Sequence, residues 1–240
     1  MEKFKRMLFN VVFYITVVAI IAAVFFAMLL VVMKLSVSAM TGGQQCGTIL
    51  IDPGHGAEDG GAVSDSGLVE KDINLDISLM LRDQLETAGF SVEMTRERDE
   101  MAGSGDTLSE KRRNDFANRL LMYNESDVDA VVSIHQNKFS SPAEHGAQVF
   151  YSPNGESSEA LARSVRRSIT SLLQPDNERA ITMAGSNIYL LNNCENPCIL
   201  VECGFLSNEE EAQLLSSEEY RKEMAFAVCC GVMEYMCTES

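Results

Sequence analysis

The sequence is short of basic residues, and it has no basic stripe. Beyond residue 34 it has 15 lysines and arginines against 34 aspartates and glutamates, a formal net charge of −19. This count leaves out Glu2, Lys3, Lys5, Arg6 and Lys34. Nucleic acids and anionic lipid surfaces bind clustered positive charge, so the composition argues against both as partners of this region. Internal repeats and low-complexity tracts are absent from the sequence as well.

Cysteine is present but gives no regular disulfide framework. The seven cysteines are an odd number, so outside the membrane at least one is unpaired or bonds to another chain. Cys194 and Cys198 fit either a loop disulfide or the loose spacing of zinc ligands, but no second pair of that kind follows. Cys229 and Cys230 fall in a helical pattern and are predicted to be small buried residues.

One long apolar run lies near the N-terminus. Residues 11–33 are uncharged over 23 positions, and a helix of that length, about 34 Å, is long enough to cross a hydrocarbon core of about 30 Å. The alternative is a cleaved signal peptide, for which residues 37–39 offer small side chains, but its apolar region is only about 7–15 residues long. With basic residues before the run, the sequence predicts a cytoplasmic segment over 1–10, a single transmembrane anchor over 11–33, and the rest of the chain on the extracytoplasmic side.

The remaining residues, about 200, suit one domain with one sizeable core. Residues 34–46 are mostly small or polar and are predicted to form a linker. The catalytic or binding domain is therefore predicted over residues 47–238.

Short apolar and β-branched runs alternate with helical patterns through this domain. The predicted strands are Thr48–Ile51, Ser91–Met94, Ala130–Ile134, Ala147–Tyr151, Asn187–Leu191 and Cys198–Val201. The predicted helices cover 70–89, 107–124, 157–173 and 217–236, and a capping-box pattern at Ser207–Glu210 opens a short helix before the last one. The alternation predicts an α/β fold, a sheet of about six strands with helices on both faces.

Three residues that bind metals or transfer protons stand at the ends of predicted strands. His55 follows the first strand, His135 ends the third, and Glu202 ends the last. Active sites of open α/β sheets collect at the carboxyl ends of the strands, so these side chains are expected to meet. Glu70 opens the first long helix 15 positions after His55, so one loop can fold both toward the same point. His145, by contrast, flanks a turn and is predicted to be plain surface.

A catalytic zinc requires three protein ligands and leaves one position for water. His55, Glu70 and His135 are the candidate ligands, although a glutamate at the start of a helix also suits the helix dipole. Glu202 is the candidate acid and base, because a carboxyl group in a partly dry setting has a raised pKa. The alternative for Glu202 is an ion pair with an arginine that caps the sheet.

Four motifs give the sequence a resemblance to one enzyme family. They read ILIDPGHGAEDGGAV, GLVEKDINLDISLMLRDQLETAGFSVEMTRERD, VVSIHQN and ILVECGFLSNEEEAQLL, and the resemblance covers about 48–235. In content and order they resemble the zinc-dependent N-acetylmuramoyl-L-alanine amidases of the Amidase_3 family. The resemblance implies a mixed, mostly parallel sheet and hydrolysis of the amide between N-acetylmuramic acid and the L-alanine of a peptidoglycan stem peptide.

The resemblance also implies roles for individual residues. By motif, His55, Glu70 and His135 match the zinc ligands of the family. Glu202 matches its catalytic glutamate. Arg96 and Arg113 are candidates to orient a carboxylate of the stem peptide, with packing as the alternative role. Autoinhibited members carry a blocking helix where this chain has residues 140–147 without a helical pattern, which predicts a cleft that is open or governed by a regulatory envelope protein.

Two other functions remain open at this point. One is a thiol hydrolase with Cys203 as the nucleophile and a histidine as the base. The other is a non-catalytic envelope-binding module of the same fold. Within the family, a short chain with one anchor and no wall-binding repeats resembles the sporulation-specific amidases of endospore formers. That resemblance implies work on spore cortex, where stem peptides are removed before muramic-δ-lactam forms, and a location such as the forespore intermembrane space.

Overall fold

The structure is a computed structural model, and it describes residues 46–239. The predicted cytoplasmic segment 1–10, the predicted anchor 11–33 and the predicted linker as far as residue 45 lie outside the described residues. Within 46–239, no helix is both long enough and apolar enough to span a bilayer.

Strands and helices alternate along the described chain. The strands are β1 (Thr48–Pro53), β2 (Ser91–Met94), β3 (Ala130–Asn137), β4 (Gln148–Tyr151), β5 (Thr182–Met183) and β6 (Cys198–Phe205). The helices are α1 (Glu70–Thr87), α2 (Leu108–Tyr123), α3 (Glu156–Leu172), α4 (Tyr189–Asn193), α5 (Glu209–Ser216) and α6 (Glu218–Glu239). The α/β alternation that the sequence predicts is thus confirmed.

The six strands form one sheet in the order β2-β1-β3-β6-β4-β5. Strands β2, β1, β3 and β6 are parallel to one another, whereas β4 runs antiparallel to β6 and β5 runs parallel to β4. The sheet is therefore mixed and mostly parallel, as expected. Because β1, β3 and β6 are adjacent and parallel, their carboxyl ends meet at one edge.

Successive side chains of β1 enter two separate cores, because side chains alternate across a strand. Ile49 and Ile51 are buried in a cluster with residues of α1, α3 and α6. Leu50 is buried on the other face with Tyr123 of α2 and Leu191 of α4. Helices therefore cover both faces of the sheet, which parallel strands require.

The predicted strand at Asn187–Leu191 is wrong, because most of that segment belongs to helix α4. The side-chain amide of Asn192 donates to the carbonyl oxygens of Gly185, at 2.6 Å, and Ile188, at 3.0 Å. These bonds close a tight helical turn that an extended strand cannot make. A run of five residues is too short to distinguish the periodicity of a helix from that of a strand. The sixth strand is instead β5, at the edge of the sheet.

The predicted cap of α5 is displaced by one residue. Asn208 caps the helix, since its side chain accepts a hydrogen bond from the Glu211 amide at 3.0 Å. The Ser207 hydroxyl instead accepts from the Phe139 amide at 3.0 Å. Serine and asparagine are equally good caps, so only the tertiary contact of Ser207 decides between them.

A buried polar network lies at the carboxyl end of β1. Asp52 accepts hydrogen bonds from Thr95 at 2.6 Å and from Tyr123 at 2.6 Å. It also accepts from Ser133 at 2.8 Å and pairs with Arg119 at 3.1 Å. Burial raises the pKa of Asp52, but the Arg119 guanidinium and the hydrogen bonds outweigh it and lower this pKa to about 2. The network therefore holds a charged carboxylate directly below the candidate site.

We expect Arg119→Met to lower the free energy of unfolding by about 3–5 kcal/mol, because Asp52 and Asp115, which both pair with Arg119, are left as unpaired buried carboxylates. Urea unfolding at pH 7 measures this loss. The matched control is Arg113→Met, an exposed arginine on the same helix, with an expected change of less than about 0.5 kcal/mol.

The stabilising effect of the Asp52 charge depends on pH. Because its pKa is lowered in the folded state, the effect is present above the unfolded pKa of about 3.9 and is lost as pH falls to about 2. The difference between wild type and Arg119→Met should shrink over that interval. Equal stability of the two proteins at pH 7 would contradict the role of the pair.

Candidate active site

His55 lies on the loop that leaves β1, in a backbone conformation that few side chains adopt. Its φ is 64°, which is unfavourable for a residue with a side chain unless the surroundings impose it. Two buried arginines impose this conformation through hydrogen bonds to backbone carbonyls of the loop. Arg96 donates to the Pro53 carbonyl at 3.0 Å. Arg119 donates to the carbonyl of His55 itself at 2.9 Å. The imidazole is thereby presented at the edge of the sheet on a rigid loop.

Arg96, a candidate either to orient a substrate carboxylate or to pack, binds the backbone of the His55 loop. The residue is only 4% exposed. Its guanidinium donates to the carbonyls of Pro53 and Gly54, both at 3.0 Å, and of Lys71 at 2.8 Å. These donors are bound to the backbone, so the geometry gives Arg96 the packing role that the sequence left as the alternative.

Glu70 is the first residue of α1, and its carboxylate is buried. Its Oε2 accepts from the Ala62 amide at 2.7 Å, and its Oε1 accepts from the Gln136 amide at 3.1 Å. Gly61 has to be a glycine here: a Cβ would lie 2.5 Å from Glu70 Oε2, and φ is +68°. Burial raises the pKa of Glu70, but hydrogen bonds to His135 and His55 outweigh it and hold this pKa well below its usual range.

His135 lies near the end of β3 and faces the same point. Its Nδ1 is 2.9 Å from Glu70 Oε1. The ring packs so closely on Gly54 that a Cβ there would lie 2.3 Å from the imidazole. The centroids of the His55 and His135 rings are 5.0 Å apart, with the rings nearly perpendicular. His55, Glu70 and His135 thus lie together at the carboxyl edge of the sheet.

The three side chains are placed to hold one metal ion. His55 Nε2 is 3.3 Å from Glu70 Oε1, and one ligand atom from each of the three residues lies within 4.8 Å of the others. Ligands about 2.0–2.2 Å from a tetrahedral zinc are separated by distances of about this size. Two imidazoles and one carboxylate are also the donors that zinc accepts. The residues present therefore fit zinc.

Asp59 contacts the other nitrogen of His55, a role that the sequence analysis missed. Its Oδ2 is 3.1 Å from His55 Nδ1, and its Oδ1 accepts from Arg112 at 2.5 Å. Burial lowers the pKa of His55, but the carboxylates of Asp59 and Glu70 outweigh it and raise this pKa to about 9. A carboxylate on the second nitrogen fixes the orientation and tautomer of a metal-binding histidine. Its position four residues after His55 in the glycine-rich motif was the available signal.

We expect Asp59→Ala to weaken zinc binding by about 10- to 100-fold, because the His55 ring loses the group that orients it. Competition with a chromogenic chelator measures the dissociation constant. Asp65→Ala is the matched control, since Asp65 is an exposed aspartate on the same loop. An unchanged dissociation constant in Asp59→Ala would show that Asp59 does not position the ligand.

Glu202 stands beside the histidines without belonging to the ligand set. It lies opposite His135 in the register of β3 and β6. Its Oε2 is shielded from solvent and has no hydrogen-bond partner among the described residues. Burial is the main cause that raises the pKa of Glu202, to about 7. No arginine pairs with Glu202 among the described residues, so its contacts do not support the alternative of an ion pair. A carboxyl group with this pKa can accept and return a proton near neutral pH.

The remaining candidates fall outside the cluster. Cys203 is fully buried in the core, and burial raises the pKa of its thiol, so the geometry disfavours a thiolate nucleophile. His145 is exposed, as predicted. Cys194 and Cys198 are buried free thiols, and neither belongs to the metal-binding group of the described residues. Residues 140–147 contain no helix, and Arg113 is exposed on α2.

An α/β sheet with a His–Glu–His group and a half-buried glutamate at its carboxyl edge is typical of metal-dependent hydrolases. The chain belongs to the N-acetylmuramoyl-L-alanine amidase family (Amidase_3), whose family model matches residues 49–234. It is therefore an enzyme of that family, and peptidoglycan fits as its substrate.

Individual relatives agree with this assignment. A germination-specific N-acetylmuramoyl-L-alanine amidase of Bacillus subtilis is 36% identical over 189 residues, which is 78% of this chain and 78% of the relative. Among solved structures, the CwlD amidase from Clostridioides difficile in complex with the GerS lipoprotein is 35% identical with a TM-score of 0.77, covering 80% of this chain and 99% of that one. An amidase from Clostridium difficile 630 is 28% identical with a TM-score of 0.72, covering 82% and 100%.

Proposed function

We propose that this amidase uses zinc, held by His55, Glu70 and His135, and that it acts on spore cortex. In that setting, removal of the stem peptide from N-acetylmuramic acid allows muramic-δ-lactam to form. The observation that carries the chemistry is the convergence of the three ligands next to Glu202, whose Oε2 is shielded from solvent and has no hydrogen-bond partner among the described residues. The germination-specific relative supports the setting.

In the proposed reaction, metal binding and proton transfer are carried out by different residues. Zinc, when bound, supplies a Lewis acid that activates water and stabilises negative charge on the carbonyl oxygen. Glu202 accepts the proton of the attacking water, because its raised pKa makes it a competent base at neutral pH. The same carboxyl group then donates that proton to the departing nitrogen of L-alanine. The amide bond breaks, and the carboxylate of Glu202 is restored for the next cycle.

The location proposed for the domain follows from residues outside the described part. Residues 11–33 form the proposed membrane anchor, with 1–10 in the cytoplasm, 34–46 as the linker and 47–238 as the catalytic domain on the extracytoplasmic side. A position in the forespore intermembrane space would bring this domain to the cortex. The net charge of −19 beyond residue 34 supports a domain that does not adhere to anionic lipid.

A second candidate is a domain that needs a partner for activity or that only binds the envelope. One relative, the CwlD amidase, was solved in complex with a lipoprotein, which supports a regulatory envelope partner here. The three candidate metal ligands are all present, and Glu202 can act as a base. Both observations argue against a domain that only binds the envelope. We therefore propose a catalytic domain, with regulation by a partner as the open possibility.

The proposal is tested on purified residues 47–238. Metal analysis should find one zinc per chain, and mass spectrometry of digested cortex should find muramic acid without its stem peptide. Zinc content near zero in protein that cleaves the amide would overturn the metal assignment. Zinc-loaded protein that leaves every muropeptide intact, with or without envelope extract, would overturn the proposed reaction.

A further inference from the structure

Two neighbouring hollows, together called the groove below, lie beside the candidate active site and helices α2 and α4. One hollow of about 630 Å³ is lined by His135 and Glu202 and also by Phe116 and Tyr189. A second hollow, of about 590 Å³, is lined by Phe116 and Tyr189 again and by Arg113. Because the same two aromatic rings border both hollows, a substrate held at Glu202 can extend past the rings to Arg113.

The middle of this groove is apolar and open to solvent. Phe116 is 40% exposed and Tyr189 is 49% exposed, and their ring centroids are 6.2 Å apart. Leu108 and Met183, also exposed, line the same groove. Exposed apolar side chains that cluster beside a site of chemistry mark a binding surface.

The far end of the groove carries the exposed guanidinium of Arg113, whose N–H donors are not used within the described residues. Lys111 and Arg112 are paired, with Glu58 and Asp59. Arg113 is exposed and makes no hydrogen bond or ion pair with another described residue. The nearby carboxylate of Glu110 is occupied by the backbone amides at the start of α2. Glu110 acts on Arg113 only through space, so the guanidinium keeps its hydrogen-bond donors available to bind an anion in the groove.

We propose that this groove binds the peptide arm of the substrate, with the acidic residue that follows L-alanine on Arg113 and the aliphatic parts against Phe116 and Tyr189. The inference rests on the proposed function and extends it to substrate selection. The positive charge of Arg113 favours the peptide part of the substrate over the glycan part. The glycan arm is built of uncharged N-acetylated sugars, since the muramic carboxyl is consumed in the amide, whereas the stem peptide carries free carboxylates.

Two substrates that differ by one charge test the proposal. They are N-acetylmuramoyl-L-alanyl-D-isoglutamate and the same compound with that carboxylate converted to an amide. We expect wild type to prefer the acid by about tenfold in kcat/KM through a lower KM, and Arg113→Ala to lose that preference. Phe116→Ala should raise KM by about fivefold for both compounds and leave the preference intact.

A binding measurement separates this inference from the proposed reaction. Zinc-loaded Glu202→Gln is titrated with both compounds by calorimetry, alone and combined with Arg113→Ala. If zinc-loaded wild type shows no turnover, but Glu202→Gln binds the acid more tightly than the amide and Arg113→Ala removes that difference, the proposed reaction is wrong and the groove assignment stands. Arg163→Ala is the control, since Arg163 is an exposed arginine on α3 that pairs with Glu159 of its own helix.

Two outcomes would overturn the inference. In the first, Arg113→Ala keeps the preference for the acid in both rate and binding. In the second, Phe116→Ala changes the dependence of rate on glycan length but not KM for the peptide compounds, which would assign the groove to the sugar strand. Loss of the preference in Arg113→Ala but not in Arg163→Ala supports the assignment.

Discussion

Glu202→Gln is expected to retain zinc and to lower kcat by about 10³-fold or more, because the amide side chain keeps the size of glutamate but cannot accept the proton of water. Glu202 is not among the three ligands that converge, so its loss leaves the metal-binding group intact. The measurement pairs zinc content with the rate of release of L-alanyl peptide from a muropeptide.

Glu209→Gln is the matched control for this variant. Glu209 is an exposed glutamate in the first turn of α5, and its substitution should leave the rate unchanged. A Glu202→Gln enzyme that works within a few-fold of wild type would remove Glu202 from the reaction. Loss of zinc together with the rate would instead place Glu202 among the ligands.

Removal of zinc by a chelator is expected to abolish activity, and stoichiometric zinc should restore it. The metal-free domain should stay folded, because Glu70 retains its hydrogen bonds to the Ala62 and Gln136 amides and its contacts with both histidines. Zinc at 1,000 times its dissociation constant should add about 4 kcal/mol of stability, seen as a rise in Tm.

Cys203→Ala distinguishes this enzyme from a thiol hydrolase. A nucleophilic thiol would make the variant inactive and would leave wild-type activity insensitive to the chelator. We expect the opposite on both counts, since the thiol is buried in the core and its raised pKa disfavours the thiolate. Chelator-resistant hydrolysis would contradict the zinc proposal directly.

The candidate site was predictable because of where the strands end. His55, His135 and Glu202 each follow or end a run of apolar residues, and the carboxyl ends of adjacent parallel strands must meet. Residue type then restricts the chemistry, since imidazole and carboxylate are zinc donors. The structure places Glu70 at 2.9 and 3.3 Å from the two histidines.

The supporting residues were not predictable in the same way. Arg96 and Arg119 are arginines in strongly charged stretches, and such residues usually face solvent. Only the fold shows that both donate to backbone carbonyls of the His55 loop and that Asp59 lies against His55. The strand predicted at 187–191 failed for a related reason, because hydrogen bonds from asparagine side chains formed the helical turn there.

The amino-acid sequence by itself determined the α/β class, the family and the residues able to bind zinc, because these depend on periodicity, on residue type and on order along the chain. Tertiary structure alone decided which polar side chains are buried and which stay free. Burial and pairing of a charge depend on neighbours that are distant in sequence, such as Asp52 and Arg119, or His55 and Glu70. For the same reason only the fold sets Arg96 under the loop and leaves Arg113 open in the groove.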